Sequence, residues 1–250
     1  MGRIIRPRFG GRAQGKPLVV IAVPSHRKTV PVAFRSMDFH AGFLSKDRAH
    51  PFSYFPLSVG AHYPIHYARN LCVEAFLSLP GAAWLYFIDD DMVPPENWNA
   101  LLKYGEPMVS GFSLGWQEYH KRERRPPSPL FVSYWKQADG AWKSGPPVSY
   151  TEPYRCDGVG AACLLIHRSV LERVGKPWFK TVFDETDGHV ITGEDLWFFD
   201  RARAEGMGGV LVDPTVIFGH EKTLDVMDVG RYGLMSREDG KRERQVQVAD

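Results

Sequence analysis

The sequence predicts an α/β protein whose mixed sheet is flanked by helices within a single domain. Two unbroken apolar runs, residues 18–24 and 83–88, have the length and the β-branched or aromatic character of strands buried on both faces. A segment with helical periodicity separates them. Strand patterns of antiparallel type follow in the second half, so we expect a partly parallel sheet with an antiparallel extension.

The first strand, residues 18–24, is expected to end at Pro24. Polar residues follow it at once, Ser25 and Arg27 among them. Ligands of open α/β sheets bind just beyond the carboxyl ends of the strands. We therefore expect a ligand to bind near the polar residues that follow this strand.

Periodicity and turn residues predict the later elements. Residues 65–79 repeat apolar side chains at helical spacing, and Pro80 with Gly81 ends that helix. Pro94 and Pro95 suit the start of another helix, because proline is tolerated in the first turn. In full, we expect helices over 32–43, 65–79, 94–102, 169–175 and 194–205, strands over 18–24, 83–88, 107–112, 129–135, 148–154, 158–166 and 209–220, and an exposed loop over 114–129.

Composition and charge limit the possible functions. The chain has 250 residues, 44% of them hydrophobic, and a formal net charge of +2. This charge is too small to indicate a dedicated nucleic-acid-binding protein. Residues 1–16 carry five Lys or Arg side chains and no acid, which predicts a flexible basic arm. The domain itself is expected over 17–220, and a charged tail over 221–250.

Cysteine use and hydropathy bear on the cellular compartment. Cys72, Cys156 and Cys163 show no metal-site spacing and fit buried thiols in a reducing compartment. The chain also lacks the apolar run of a signal peptide and any apolar segment long enough to cross a membrane. We therefore expect a cytoplasmic protein without a transmembrane segment.

The strongest chemical signal is the run Asp89, Asp90, Asp91 directly after the strand over 83–88. Three adjacent carboxylates repel one another unless a cation or hydrogen-bond donors neutralise them. A hard divalent ion with oxygen ligands does so, and it can also bridge to a diphosphate. The alternative interpretation is a solvated acidic turn that caps the next helix.

A second signal is the pair Glu194 and Asp195, which follows Thr192. One interpretation is structural, because Thr192 with a carboxylate three residues later has the pattern of a capping box. The other is catalytic: Asp195 is a general base for an acceptor hydroxyl, and Glu194 orients that acceptor. The helix dipole is expected to keep a carboxylate at this helix start ionised.

Three further residues are candidate ligand contacts, and each has an ordinary structural alternative. His220 follows an apolar strand, and its imidazole beside carboxylates would favour Mn²⁺ over Mg²⁺. Arg69 lies beside the apolar stripe of its helix, where a guanidinium can reach a phosphate or a base edge. Gly160 lies in a run of small residues that leaves room for a ligand or for a tightly packed helix.

The chain resembles the GT-A fold glycosyltransferases, especially the family-2-like enzymes of bacteria and phages, in an ordered set of motifs. These are VPSHR, ARN, FIDDDM, GVGAACLLIHRSVLERVG, GEDLWFFDRARAEG and VDPTVIFGH. The order of the set is more specific than the DxD sequence alone, which is common. The resemblance implies a Rossmann-like GT-A fold (nucleotide-diphospho-sugar transferase type) and a metal-dependent glycosyltransferase with a nucleotide-sugar donor.

The resemblance also implies roles for individual residues. Asp91 would be the main metal ligand and His220 a further one. Asp89 would hold the donor ribose or the metal, with Asp90 at the variable middle place of the motif. Asp195 would be the base of an inverting reaction, with Glu194 beside it. The full donor-binding set that we predict is Pro24, Ser25, Arg27, Arg69, Asp89, Asp90 and Gly160.

The predicted function is metal-dependent transfer of a sugar to an acceptor hydroxyl, with Mn²⁺ or Mg²⁺ as cofactor and a UDP-sugar as the commonest donor. The sequence leaves the acceptor open among a saccharide, a protein, a lipid-linked sugar and modified DNA, and it leaves a retaining outcome open. One alternative is a nucleotidyltransferase of similar architecture, although VPSHRKTVP lacks the glycine-rich loop of such enzymes. The other alternative is a non-catalytic protein that binds sugar or nucleic acid.

Overall fold

The computed structural model describes residues 16–24, 51–59, 64–117 and 128–220. The chain divides into two compact units, residues 1–115 with 130–220 and residues 116–129 with 221–250. The second unit falls almost wholly outside the described residues. So do nearly all of the predicted basic arm, the predicted helix over 32–43, the charged tail, and the candidate donor contacts Ser25 and Arg27.

The described elements are mostly strands. In chain order the strands are β1 (Leu18–Pro24), β2 (Ser53–Val59), β3 (Ala82–Ile88), β4 (Met92–Val93), β5 (Met108–Phe112), β6 (Leu114–Gln117), β7 (Ser128–Phe131), β8 (Ser133–Lys136), β9 (Trp142–Gly145), β10 (Tyr154–Cys156), β11 (Gly158–Val159), β12 (Cys163–His167), β13 (Val182–Phe183), β14 (Val190–Thr192), β15 (Val210–Ile217) and β16 (Gly219–His220). The helices are α1 (Ile65–Leu77), α2 (Arg168–Val174) and α3 (Glu194–Ala204), and a 3-10 helix spans Trp98–Tyr104. None of these helices is both long enough and apolar enough to span a membrane.

A seven-stranded sheet forms the centre, in the order β10-β15-β5-β12-β3-β1-β2. Strands β1, β2, β3, β5 and β15 run in one direction, whereas β12 and β10 run in the opposite one. This arrangement confirms the predicted mixed α/β sheet with an antiparallel part. A smaller three-stranded sheet, in the order β11-β8-β9, also contains only antiparallel pairs.

The central strands are buried on both faces, as their unbroken apolar runs predict. In β1, Val20 and Ala22 belong to a core cluster that includes residues of all three α-helices. Val19 and Ile21, which point to the other face, belong to a second cluster around Trp98 of the 3-10 helix. Because successive side chains of a strand point to opposite faces, one short strand contributes to both layers of core.

Arginine side chains hold the helix ends to the sheet and to each other. Arg168 donates to the Leu77 carbonyl oxygen at 2.7 Å and to the carbonyl oxygens of Leu79 and Ala82 at 3.3 Å, which satisfies acceptors at the end of α1. Arg201 of α3 donates in the same way to the Val174 carbonyl oxygen at the end of α2. These bonds fix α1 and α3, the two helices that carry site residues.

The structure differs from the sequence prediction at several elements. The helix expected from Pro94 begins only at Trp98 and is of the 3-10 type. A residue that precedes a proline is disfavoured in the helical conformation, which applies to Val93 and to Pro94. Val93 accordingly stays extended in β4. The strand expected over 158–166 is broken by a turn at 160–162, and the predicted loop over 114–129 contains β6 and the start of β7. Strands β2, β4, β9, β13 and β14 had no prediction, and of the strand expected over 148–154 only Tyr154 lies in a strand, β10.

The two glycines that precede β15 differ in the space around them, which gives a test of the packing against β10. A Cβ atom on Gly209 would lie 2.0 Å from the Cys156 carbonyl oxygen, whereas one on Gly208 would meet no heavy atom of the described residues within 4 Å. We expect Gly209→Ala to lower the free energy of unfolding by about 2 kcal/mol or more, and Gly208→Ala to change it by less than about 0.5 kcal/mol. Urea denaturation of both variants checks this. Equal effects would show that β10 does not approach Gly209 so closely.

Candidate active site

Three elements bring charged residues together at the carboxyl end of β3. Asp89 follows the buried strand directly, and its backbone N–H donates to the Ala162 carbonyl oxygen at 3.1 Å. The chain then turns, and the Met92 N–H donates to the Asp89 carbonyl oxygen at 3.1 Å. Arg69 comes from α1, and Glu194 opens α3. A hydrophobic strand thus ends in a turn that places carboxylates beside two helices.

Arg69 lies at the centre of this group. Its side chain is 3% exposed, and its two terminal nitrogens donate to the two carboxylate oxygens of Asp89 at 2.8 and 3.3 Å. Its Nε lies 3.5 Å from Glu194 Oε1 and 3.4 Å from Asp195 Oδ1. Burial alone would lower the pKa of the guanidinium, but the charges of Asp89, Asp195 and Glu194 raise it above its usual range. Arg69 is therefore a permanent buried cation among three carboxylates.

The sequence predicts that Arg69 contacts a phosphate or a base edge. In the structure, the terminal nitrogens of Arg69 have another partner. Both of those nitrogens are engaged by Asp89, and the planar group packs over the Phe87 ring at 5.6 Å. A guanidinium that is 3% exposed and already holds a carboxylate has little surface left for a ligand. The contact of Arg69 with a nucleotide remains a prediction, and its contact with Asp89 is the observed one.

Asp195 has an unusual environment for a carboxylate. Burial raises its pKa from 3.8 to about 7, the charge of Arg69 lowers it, and the charges of Glu194 and Asp89 raise it again. Oδ1 is buried without a hydrogen-bond partner among the described residues, although the side chain as a whole is 23% exposed. The helix start was expected to keep this group ionised, but desolvation has the larger effect. A carboxyl group with a pKa near neutrality suits general acid–base chemistry.

The capping box that Thr192 suggests does not form. Gly193 is the N-cap residue of α3, so no side chain caps the helix, and Thr192 lies in β14, where it pairs with Val182. The Asp195 carboxylate is directed instead towards Arg69 and the Ala161 backbone. Of the two interpretations of this segment, the structural one is wrong.

Gly160 borders Asp195 on the side away from Arg69. A Cβ atom on Gly160 would lie 3.8 Å from Asp195 Oδ2 and 3.6 Å from Val132 Cβ. The Gly160 N–H donates to the Val132 carbonyl oxygen at 3.1 Å, which fixes the turn against the smaller sheet. The missing side chain therefore leaves room of about one methyl group between Oδ2 and Val132.

Tyr134 is a site residue that the sequence did not single out. Its neighbours two residues away on the same face are Val132, just before β8, and Lys136. Val132 lies beside Gly160, and Lys136 donates to Asp200 of α3. Tyr134 is half-buried, and burial together with the Asp195 charge raises the pKa of its hydroxyl. The sequence around Tyr134 has the ordinary pattern of a short strand and does not mark it as a site residue. The pairing of β8 with β11 brings it to the site.

Asp91 and His220 form a separate pair. Strand β16 pairs with β4, with His220 opposite Met92, and this brings His220 Nε2 to 3.0 Å from Asp91 Oδ2. His220 Nδ1 lies 2.9 Å from the Leu114 carbonyl oxygen, which can only accept, so Nδ1 carries the proton. A neutral ring then directs a lone pair at the carboxylate, so the contact needs a proton or a metal ion between the two groups.

The pair has the features of metal ligands. A metal-binding histidine commonly donates its other ring N–H to a backbone carbonyl, and an imidazole with a carboxylate suits Mn²⁺. Among the described residues, however, no three His, Cys, Asp or Glu side chains form a cluster that could hold a metal ion. Asp89, the third predicted ligand, is bound to Arg69 instead.

The other predicted donor contacts flank the same edge of the sheet. Ala22 of β1 pairs with Phe87 of β3 in parallel register, so the buried Pro24 lies level with Asp89. Asp90 is 8% exposed within the turn. The structure thus brings Pro24, Asp89 and Asp90 to one edge.

No protein-family model matches the chain, and no curated protein matches it. Among solved structures, A197 from STIV is similar at 18% identity, with 82% of this chain and 95% of that chain covered and a TM-score of 0.47. A glycosyltransferase involved in the glycosylation of the major capsid of PBCV-1 is similar at 14% identity, with 88% of this chain and 100% of that chain covered and a TM-score of 0.39. At these identities and TM-scores, the two similarities do not indicate a function for this chain.

The raised pKa of Asp195 predicts a pH dependence of stability. A carboxyl group whose pKa is higher in the folded chain stabilises the fold fully below its unfolded value, near 3.8, and loses this effect as pH rises through about 7. We expect the free energy of unfolding of the unmodified chain, relative to that of Asp195→Asn, to fall by roughly 1–3 kcal/mol across that window. Urea denaturation at a series of pH values measures it.

The exposed carboxylate of Glu205 supplies the control, because it lies at the end of the same helix as Asp195. Glu205→Gln should keep the pH dependence of the unmodified chain. If Asp195→Asn also kept it, Asp195 would have an ordinary carboxylate pKa.

Proposed function

We propose that this protein is a metal-dependent GT-A glycosyltransferase of family-2-like type that moves a sugar from a nucleotide diphosphate to an acceptor hydroxyl. The observation that carries the proposal is the position of Asp195. Its carboxyl group, with a pKa near neutrality, lies beside Gly160 at the edge where the acidic turn after β3 and the Asp91–His220 pair also lie. A base and an anion-stabilising group at one strand edge are what glycosyl transfer requires.

Asp91 and His220 would hold the metal ion, Mn²⁺ or Mg²⁺, with Asp89 and Asp90 close by in the chain. The ion, when bound, supplies Lewis-acid stabilisation of the negative charge that develops on the departing nucleoside diphosphate. The protein's own contribution is to hold the His220 ring by its bond to the Leu114 carbonyl oxygen, which directs Nε2 towards Asp91 Oδ2, where the two residues would hold the ion.

Asp195 would take the proton of the acceptor hydroxyl as that oxygen attacks the anomeric carbon. Its Oδ2 faces the space beside Gly160, whereas its Oδ1 faces Arg69. Only Oδ2 is therefore directed towards a substrate. Glu194, 14% exposed and beside the same guanidinium, would orient the acceptor. A base that acts directly on the acceptor in this way belongs to an inverting reaction.

The donor would lie along the edge formed by Pro24, Asp89 and Asp90, with Ser25 and Arg27 as further contacts beyond the described part of β1. A UDP-sugar is the expected donor within the resembled family. A saccharide, a protein and modified DNA stay as acceptor classes, since the site residues that we describe discriminate among none of them.

Metal and donor should bind together. We expect one nucleotide sugar from a panel of UDP-, GDP- and dTDP-sugars to raise the melting temperature only when Mn²⁺ or Mg²⁺ is present, because the ion offsets repulsion between the acidic turn and the diphosphate. Asp91→Ala and His220→Ala should both abolish that shift. Asp187→Ala, which removes an exposed carboxylate from the β13–β14 hairpin, is the control and should retain it. An intact shift in Asp91→Ala would overturn the metal assignment.

Removing the base should separate turnover from binding. Asp195→Asn keeps the shape of the side chain but cannot accept the proton, so we expect kcat for transfer, or for hydrolysis of the donor by water, to fall about 10²-fold or more. The metal-dependent shift of the melting temperature with the donor should persist. Glu205→Gln is the matched control on the same helix and should leave kcat unchanged. Full activity in Asp195→Asn would assign the base elsewhere.

A further inference from the structure

We propose that Arg69 is a positioning residue: its guanidinium holds the donor-side carboxylate of Asp89 with one edge and the base Asp195 with the other. This inference rests on the proposed function, and it gives Arg69 a role other than the nucleotide contact expected from the sequence. Its consequence is that one buried cation fixes where the base points relative to the donor.

The three elements around Arg69 come from distant parts of the chain. Arg69 lies on α1, Asp89 follows β3, and Asp195 lies in the first turn of α3. Arg69 forms ion pairs both with the end of β3 and with the start of α3. The guanidinium is therefore an ionic link between the base and the acidic turn.

The geometry divides the guanidinium into two edges. Asp89 accepts one N–H from each terminal nitrogen, and the N–H of Nε has no hydrogen-bond partner in the described chain. Nε lies 3.4 Å from Asp195 Oδ1, which is likewise buried without a hydrogen-bond partner, and 3.5 Å from Glu194 Oε1. Buried polar atoms that lack a partner are rare and costly. The ion pair between Nε and Oδ1 joins two such atoms at close range.

The orientation of the Asp195 carboxylate depends on which of its two oxygens Arg69 holds. Attraction to Nε keeps Oδ1 on the buried side, and Oδ2 is thereby directed to the space beside Gly160. A carboxylate that could rotate would share its time between orientations, and misplacement of a catalytic group by about 1 Å can lower a rate about 10²-fold. Arg69 acts through Asp195 and Asp89 and does not need to touch a substrate.

Lysine cannot replace arginine in this role. An ammonium group keeps the positive charge but is a point donor, whereas the planar guanidinium presents two edges at a fixed angle. The conservative variant Arg69→Lys therefore retains the attraction to three carboxylates while it removes the two-edged hold. It also keeps a buried cation in the cluster, whereas Arg69→Met would leave the three carboxylates without one and could fail to fold.

A stability measurement tests the contact without reference to activity. We expect Asp195→Asn to change the equilibrium constant of unfolding by one factor in the unmodified chain and by another factor in Arg69→Lys. The two factors should differ about fivefold or more, because only arginine contacts Oδ1 through Nε. Urea denaturation at alkaline pH, with the carboxylates ionised, gives the four values of this double-mutant cycle. The control cycle pairs Asp195→Asn with Arg168→Lys, an arginine that holds the other end of α1, and should be additive within about twofold. Additivity of the Arg69 cycle would overturn the proposal.

A kinetic measurement tests the positioning. With the nucleotide sugar that stabilises the unmodified chain, we expect Arg69→Lys to lower kcat about tenfold or more and to change the KM for that donor by less than about threefold. A rise in KM with kcat unchanged would mean that Arg69 binds the donor, and the proposal would be wrong. Arg168→Lys should keep kcat and lose only stability.

The two tests separate this proposal from the proposed function. If the unmodified chain turned over no nucleotide sugar, the function would fail, but the stability cycle would still decide whether Arg69 holds Asp195. If turnover were present and Arg69→Lys matched the unmodified chain in kcat, the function would stand and the positioning role would fall.

Discussion

The ion pair between Arg69 and Asp89 is the interaction on which the rest of the site depends. Both side chains are largely removed from water, and their bidentate contact joins α1 to the end of β3. Ionised groups in such a position are tolerated only when their charges and hydrogen bonds are matched. The pair therefore fixes the turn that carries the acidic run, and it brings a positive charge within reach of α3 as well.

This arrangement explains the raised pKa of the Asp195 carboxyl group. Burial has the largest effect, and Arg69 supplies only one positive charge for Asp89, Glu194 and Asp195, so the group retains an excess of negative charge. Asp91 belongs to a different pair, in which His220 offers a nitrogen whose orientation is set by a backbone carbonyl. The edge of the sheet thus carries two separate groups, the carboxylates around Arg69 and the Asp91–His220 pair.

The sequence predicted the central strands, the three α-helices and the placement of carboxylates at a strand end, because apolar runs and periodicity are local properties. It did not predict where Arg69 points: a helical repeat shows that the residue borders the apolar stripe, not which charge is packed opposite. Edge strand β2 and the short β9 were missed because their pairing partners, not their own composition, make them strands. Tyr134 was missed for the same reason, since its place depends on the pairing of β8 with β11.

The run of small residues after Asp157 has different surroundings at its two glycines. A Cβ atom on Gly158 would lie 3.1 Å from the Phe199 ring, so that glycine allows α3 to pack closely against the strand. Gly160, two residues later, meets no such ring and borders Asp195 Oδ2. Close packing at the first glycine sets the distance of α3 from the sheet, and that distance places the Asp195 carboxylate beside the second. The packing of the helix and the position of this carboxylate are therefore parts of one constraint.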